Sequence, residues 1–118
     1  MSSYIALITG AIIGSSLRYL FSLFNLSISG LPISTVMVNI IGSSLAGYFL
    51  NKFNDTNYIF LYIGLFGSFT TLSAFNIELF SLINNKLLLK AFLFFFLNIF
   101  GSFLFFYIFH LISLKFAN

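Results

Sequence analysis

Charge is the scarcest property of this sequence. Of its 118 residues, 6% are charged and 60% are hydrophobic, whereas about a quarter of the residues in a soluble domain carry a charge. So few charged groups could not cover the surface of a soluble fold. Because a helix needs about 20 apolar residues to cross a bilayer, we expect one transmembrane domain over residues 1–118, with no separate soluble module.

Cysteine is absent, which excludes disulfide frameworks, thiol nucleophiles and Cys-ligated metals. The sequence also lacks a nucleophile-base arrangement, a phosphate-binding loop and a cofactor motif, so we expect no enzyme. Its five basic residues run from Arg18 to Lys115 without a cluster, a pattern that favours charges flanking a membrane over nucleic-acid binding. No Lys or Arg precedes the first apolar run, so that run predicts a mature helix rather than a cleaved leader.

Apolar runs separated by polar breaks predict an all-α membrane protein. Its four helices are expected at about residues 4–24, 33–50, 58–83 and 87–113. The breaks between them are Asn25–Pro32, Asn51–Asn57 and Asn84–Lys86.

The loop charges of such a four-span chain are nearly balanced between the two sides of the membrane. One side would carry Lys52 and Lys115, the other Lys86 and Lys90. Because the Lys/Arg bias sets orientation, copies of the chain could insert both ways and pair head to tail about a two-fold axis. The alternative is that the weak bias merely reflects a sequence poor in charge.

Two polar side chains fall inside the first two predicted spans. Arg18 (GSSLRYL) is either an interfacial arginine that reaches water or part of an anion vestibule. Asn39 (VMVNIIGSS) is either a helix-pairing amide or a neutral donor that lines an ion path. Small residues four apart, such as Gly10 and Gly14, favour close helix packing.

The third and fourth spans carry further polar groups. The segment GLFGSFTTLS suits a continuous membrane helix poorly, which predicts a break within the membrane whose unwound carbonyls could bind a small cation. Close packing of its small residues is the alternative. In the fourth span, Phe94, Asn98 and Ser102 recur every four residues and share one stripe. The two polar members of the stripe could donate to an anion.

These motifs together resemble the CrcB/Fluc family of fluoride channels. The matching segments are GAIIGSSLRY, VNIIGSSLAG, GLFGSFTTLSAF and NIFGSF, one in each span. The resemblance implies an antiparallel, dual-topology dimer with two fluoride pores and a structural Na⁺ at its centre. It places the sodium-binding carbonyls on Gly67 and Thr70, and the pore residues on Arg18, Asn39, Thr71, Leu72, Ser73, Phe75, Asn98 and Ser102.

The sequence departs from the family at two positions. The family has two phenylalanines whose ring edges face fluoride, but here Leu72 takes the place of the first and Phe75 matches the second. Ser68 stands where a second glycine is usual. Because leucine has no quadrupole to offer an anion, either one ring suffices, or a second, differently sequenced subunit supplies the other.

Three functions are compatible with these residues. The first is a channel in the cell membrane that exports fluoride passively and so protects cytoplasmic enzymes. The second is the partner subunit of a heteromeric fluoride channel, which Leu72 suggests. The third is a proton-coupled small multidrug exporter, which needs a membrane-embedded acid and has only Glu78 available.

Overall fold

The computed structural model describes residues 2–24 and 27–117, and these residues are mostly helical. Helix α1 spans Ser3–Leu23, and α2 spans Ile33–Tyr48. Helix α3 covers residues 55–69, α4 covers Leu72–Asn84, and α5 covers Leu88–Phe116. Asn25, with which the first predicted break begins, lies outside the described residues.

Three helical stretches among the described residues are long and apolar enough to cross a membrane: Ser3–Leu23, Asp55–Asn84 and Leu88–Phe116. Helix α2 is also apolar but has 16 residues, which gives a rise of about 24 Å. It ends two residues before the predicted position, and Asn51 then turns the chain with a φ of 64°. The chain is therefore a multi-pass membrane protein by the length and composition of its helices.

Close contacts at glycines show which way each helix runs. A Cβ built on Gly10 would lie 2.2 Å from the Phe60 carbonyl oxygen, and one on Gly14 would lie equally close to that of Leu65. Helices α1 and α3 therefore run in the same direction with their backbones in contact. The small residues of α1 thus mediate close helix packing, as their spacing predicts.

Helix α2 is antiparallel to α3 and parallel to α5. Tyr62 of α3 donates a hydrogen bond to the carbonyl of Ala46 near the end of α2, whereas Asn39, earlier in α2, binds Thr71 beyond the end of α3. A Cβ on Gly47 would collide with the Phe106 carbonyl oxygen of α5. The chain direction consequently places Lys52 and Lys115 at one end of the bundle and Lys86 and Lys90 at the other.

Two features were not predicted from the sequence. A short hairpin pairs β1 (Ser27–Ile28) with β2 (Leu31–Pro32) between α1 and α2. In addition, Ile59–Phe66 and Leu97–Gly101 are wider, π-helical segments within α3 and α5. Each lies where its helix packs on a neighbour, α1 for the first and α2 for the second.

Candidate functional site: a polar cluster at the helix break

The third apolar stretch is interrupted between α3 and α4. Thr70 (ψ 159°) and Thr71 (φ −147°, ψ 120°) are extended rather than helical. The Thr70 amide and hydroxyl both donate to the Phe66 carbonyl, at 3.1 and 3.0 Å, and so end α3. The Thr71 hydroxyl accepts from the Ala74 amide at 3.0 Å and caps the start of α4. The threonine pair thus terminates one helix and begins the next.

Asn39 of α2 binds the backbone of this break from the side. Its Oδ1 accepts the Thr71 N–H at 2.8 Å, while its Nδ2 donates to the Thr71 carbonyl at 3.2 Å. The same Nδ2 donates to Asn98 Oδ1 of α5 at 2.7 Å. Asn98 in turn donates to the Phe94 carbonyl one turn back at 2.9 Å. An unbroken chain of hydrogen bonds therefore links α2, the break and α5.

This cluster is largely closed to solvent. Thr71 and Asn98 are buried and Asn39 is half-buried. Buried amides must find partners, and the two hydrogens of Asn39 Nδ2 have protein acceptors. Through these bonds Asn39 positions the break and joins α2 to α5, as expected of a helix-pairing amide, while its role in an ion path stays a prediction.

The hydroxyl groups of Ser102 and Ser73 make fewer hydrogen bonds than the residues of the cluster. Ser102 lies one turn beyond Asn98 on α5, and its buried Oγ has no hydrogen-bond partner among the described residues. Ser73 is exposed and lies 3.2 Å from the Thr71 hydroxyl. These two groups can still present an O–H to a ligand.

The two residues at the predicted aromatic-pair positions face different ways. Phe75 is 4% exposed and stacks on Phe94, with ring centroids 5.4 Å apart. Leu72 is 67% exposed on the outside of the chain. Within a single chain, Phe75 therefore lies in the interior next to the polar cluster, whereas Leu72 lies on the outer surface.

Arg18 approaches the break from α1. Its Nε donates to the Ser68 carbonyl at 3.0 Å, an oxygen whose helical N–H partner would lie four residues on, beyond the break. Arg18 also lines a cavity of about 310 Å³. Arg18 is thus hydrogen-bonded within the protein and also lines a cavity, while its place in an anion vestibule stays a prediction.

Two contributions to this site were not predicted. Glu78 also lines the Arg18 cavity, and its Oε2 is buried without a hydrogen-bond partner among the described residues. Gly42 of α2 faces the break, because a Cβ there would lie 2.3 Å from Thr70 Cγ2. Gly42 and Ala46 are small residues four positions apart, a spacing that predicts close packing but not what Gly42 packs against.

The fold and the buried cluster define a multi-pass helical membrane protein built around a broken helix. Its family is shown by comparison with known sequences. The family described as "CrcB-like protein, Camphor Resistance (CrcB)" matches residues 5–109. The chain belongs to this family, as the motifs of the four predicted spans suggest.

Several similar proteins are named as fluoride-specific ion channels. Fluoride-specific ion channel FluC 3 of Methanosarcina barkeri is 39% identical over 90 residues, covering 70% of this chain and 68% of the relative. Fluoride-specific ion channel FluC of Shewanella piezotolerans is 37% identical over 100 residues, covering 79% and 81%. That of Idiomarina loihiensis is 36% identical over 89 residues, covering 70% and 69%.

Proposed function

We propose that this chain is a fluoride-selective ion channel that exports fluoride passively across the cell membrane. The relatives are named as fluoride-specific channels, and their family is one of ion channels rather than enzymes. The observation on this chain that carries the proposal is the buried hydrogen-bond chain through Asn39, Thr71 and Asn98 at the helix break. A proton-coupled exporter is not favoured by the family.

The chemistry of the cluster suits a small anion. An anion that leaves water needs hydrogen-bond donors in place of its hydration shell. Among the described residues, Ser73 and Ser102 offer hydroxyl donors near the cluster, while Asn39 and Asn98 hold the surrounding backbone. Ring edges carry partial positive charge, and Phe75 stacks on Phe94, whose carbonyl accepts from Asn98. Arg18 adds a positive charge in the cavity that Thr71 also lines.

The functional unit in this proposal is an antiparallel dimer in which the four apolar helices cross the membrane. The loop lysines fall two at each end of the bundle, so neither orientation is strongly favoured. A single chain is thin, with principal extents of 48 × 32 × 19 Å. A second copy would cover part of the exposed apolar surface, which includes Leu72.

The same proposal places Na⁺ between the two copies, on the carbonyls of Gly67 and Thr70. These oxygens would normally accept the N–H groups of Thr71 and Ala74. Those donors instead bind Asn39 Oδ1 and Thr71 Oγ1. Unwound carbonyls are the groups that bind Na⁺ in broken membrane helices, so the donor set fits. The ion would neutralise the carbonyl dipoles and join the two breaks.

A second candidate is a heteromeric channel, which the exposed Leu72 favours. If a paralogous subunit supplies a ring at the position of Leu72, the chain would conduct only when paired. The name FluC 3 of the Methanosarcina barkeri relative is compatible with several such proteins in one organism.

The test is fluoride efflux from liposomes that contain the purified chain alone, measured with a fluoride electrode after a potassium ionophore is added. Fluoride efflux without chloride efflux supports the homomeric channel. Inactivity that a co-purified paralogue reverses supports the heteromeric one. Inactivity of every assembled combination would refute the channel function. Replacing Na⁺ by N-methylglucamine throughout purification should lower efflux if sodium joins the copies.

A further inference from the structure

The cavity beside the polar cluster opens near the end of the bundle that carries Lys86 and Lys90. Its walls come from the end of α1, the hairpin, the start of α2, Thr71 of the break and one side of α4. Two of its lining residues carry a charge, Arg18 and Glu78. Their formal charges cancel when both are ionised. A further charge nearby therefore decides whether an anion is drawn towards the cavity.

The hairpin forms the outer wall of this cavity, to which it contributes Ser27, Gly30 and Pro32. Its turn residues Ser29 and Gly30 have positive φ values of 54° and 84°. Glycine adopts such a φ at position 30 without strain. The hairpin is also anchored from inside, because Leu31 packs against the hydrophobic core that contains Ala91 and Phe94. The turn is thus held in a defined position at the cavity mouth.

Lys90 lies directly against this turn. A Cβ built on Gly30 would be 2.9 Å from Lys90 Nζ and 3.7 Å from its Cδ. The lysine follows Leu88 and Leu89 at the start of α5 and is half-buried, whereas Lys86 in the preceding turn is exposed. Glycine at position 30 leaves the space that the ammonium group occupies, so this cation lies beside the turn that lines the cavity.

We propose that Lys90, held against the Gly30 turn, is the cation that gives the mouth of the Arg18 cavity its net positive charge and draws anions into it. The identity of the anion as fluoride rests on the proposed channel function. As a general order of magnitude, a unit charge about 10 Å from a monovalent anion, at an effective dielectric constant of about 40 to 80, changes the local concentration of that anion about two- to fivefold at low salt. The effect is lost when salt screens it.

The electrostatic part can be tested without transport, because the chain contains no cysteine. Ser27→Cys introduces a single thiol on the cavity wall. Its rates of modification by an anionic and a cationic methanethiosulfonate reagent are compared, each normalised to a free thiol. At low ionic strength we expect the anionic reagent to be favoured, and Lys90→Gln to lower that preference about two- to fivefold. Lys115→Gln, at the opposite end, should not change it.

Transport provides the second measurement. Fluoride efflux should fall about two- to fivefold in Lys90→Gln at low ionic strength and match wild type at high ionic strength. Lys90→Arg should retain wild-type efflux because it keeps the charge. If Lys90→Gln does not assemble, the proposal is tested instead by how the labelling preference of the Ser27→Cys chain with native Lys90 changes with salt. A preference that does not change with salt overturns the proposal.

The proposal is also overturned if an assembled Lys90→Gln protein keeps the full labelling preference, which is the result for a lysine that only anchors the helix at the interface. Absence of fluoride efflux from the wild-type chain, both alone and with every co-purified paralogue, would refute the channel function instead. The labelling ratio would still show whether Lys90 sets the charge of the cavity mouth.

Discussion

Asn39 and Thr71 bind each other reciprocally across the helix break. The Thr71 amide donates to Asn39 Oδ1 at 2.8 Å, and Asn39 Nδ2 donates back to the Thr71 carbonyl at 3.2 Å. A side-chain amide thereby replaces the backbone partner that an extended residue lacks inside a membrane, where no water is available. The break is therefore a fixed structure. Three predictions concern the residues that contact it, and a fourth concerns the two faces of α4.

Asn39→Asp is expected to abolish fluoride efflux. The new carboxylate can still accept the hydrogen bond from the Thr71 N–H. It cannot donate to the Thr71 carbonyl or to Asn98 Oδ1, and each of these acceptors loses its donor at a cost of about 1–3 kcal/mol. If a permeating anion passed within about 4 Å of the new carboxylate, repulsion would add about 4 kcal/mol at an effective dielectric constant of about 20. Efflux should therefore fall by about a hundredfold or more, together with a lower unfolding temperature in detergent.

Asn57→Asp is the matched control, because Asn57 is exposed in the first turn of α3 and should tolerate the change. Wild-type efflux and stability in Asn39→Asp would contradict the role assigned to this amide.

Gly42→Ala is expected to displace the break. The new methyl group would lie 2.3 Å from Thr70 Cγ2, and such overpacking costs about 1–3 kcal/mol. Thr70→Ser removes that methyl group but keeps the hydroxyl that donates to Phe66. The double variant should recover most of the unfolding temperature and efflux that Gly42→Ala loses.

Gly101→Ala is the control for adding a methyl group, since its Cβ would lie 3.4 Å from Ile40 Cδ1, an ordinary contact distance. If Thr70→Ser fails to rescue an assembled Gly42→Ala protein, the contact between these residues is not what makes glycine necessary.

Arg18→Lys separates the charge of Arg18 from its hydrogen bond. Lysine keeps the positive charge but lacks the planar guanidinium, whose Nε binds the Ser68 carbonyl. Loss of a hydrogen bond to a charged group costs about 1.5–3 kcal/mol, so the unfolding temperature should drop. Arg18→Gln removes the charge as well and should lower efflux further at low ionic strength. Equal stability of all three proteins would show that the bond to Ser68 contributes nothing.

The Leu72 and Phe75 positions should respond in opposite ways. Phe75→Leu removes a buried ring that stacks on Phe94, so it should lose about 0.5–1.5 kcal/mol of aromatic interaction as well as packing, and efflux should fall. Leu72→Phe changes an exposed side chain and should preserve assembly of the chain. If a second copy covers this position, efflux should persist or rise.

Both variants are compared by liposome efflux and by size-exclusion chromatography of the assembled protein. Wild-type efflux in Phe75→Leu, with efflux blocked in an assembled Leu72→Phe protein, would reverse the assignment of the two faces of α4.

The sequence by itself determined the class of protein and the position of the break. A composition with 6% charged residues leaves the bilayer as the environment for its long helices, and small and β-branched residues around Thr70 and Thr71 weaken the helix there. The motifs were sufficient for the family, which the comparison confirms. These properties depend on local composition, which is why they can be predicted without a structure.

The tertiary structure decided which residues meet. Two extended residues at Thr70 and Thr71 reset the helical phase, so the periodicity of α3 does not predict which face of α4 is buried. The family resemblance placed Leu72 and Phe75 together in the pore, and only the structure shows that Phe75 is buried within the chain while Leu72 is exposed. The contact of Asn39 with Asn98 joins residues 59 positions apart, and the contact of Lys90 with the Gly30 turn likewise joins distant segments. Such contacts depend on how the helices pack, because sequence spacing relates residues only within one regular element.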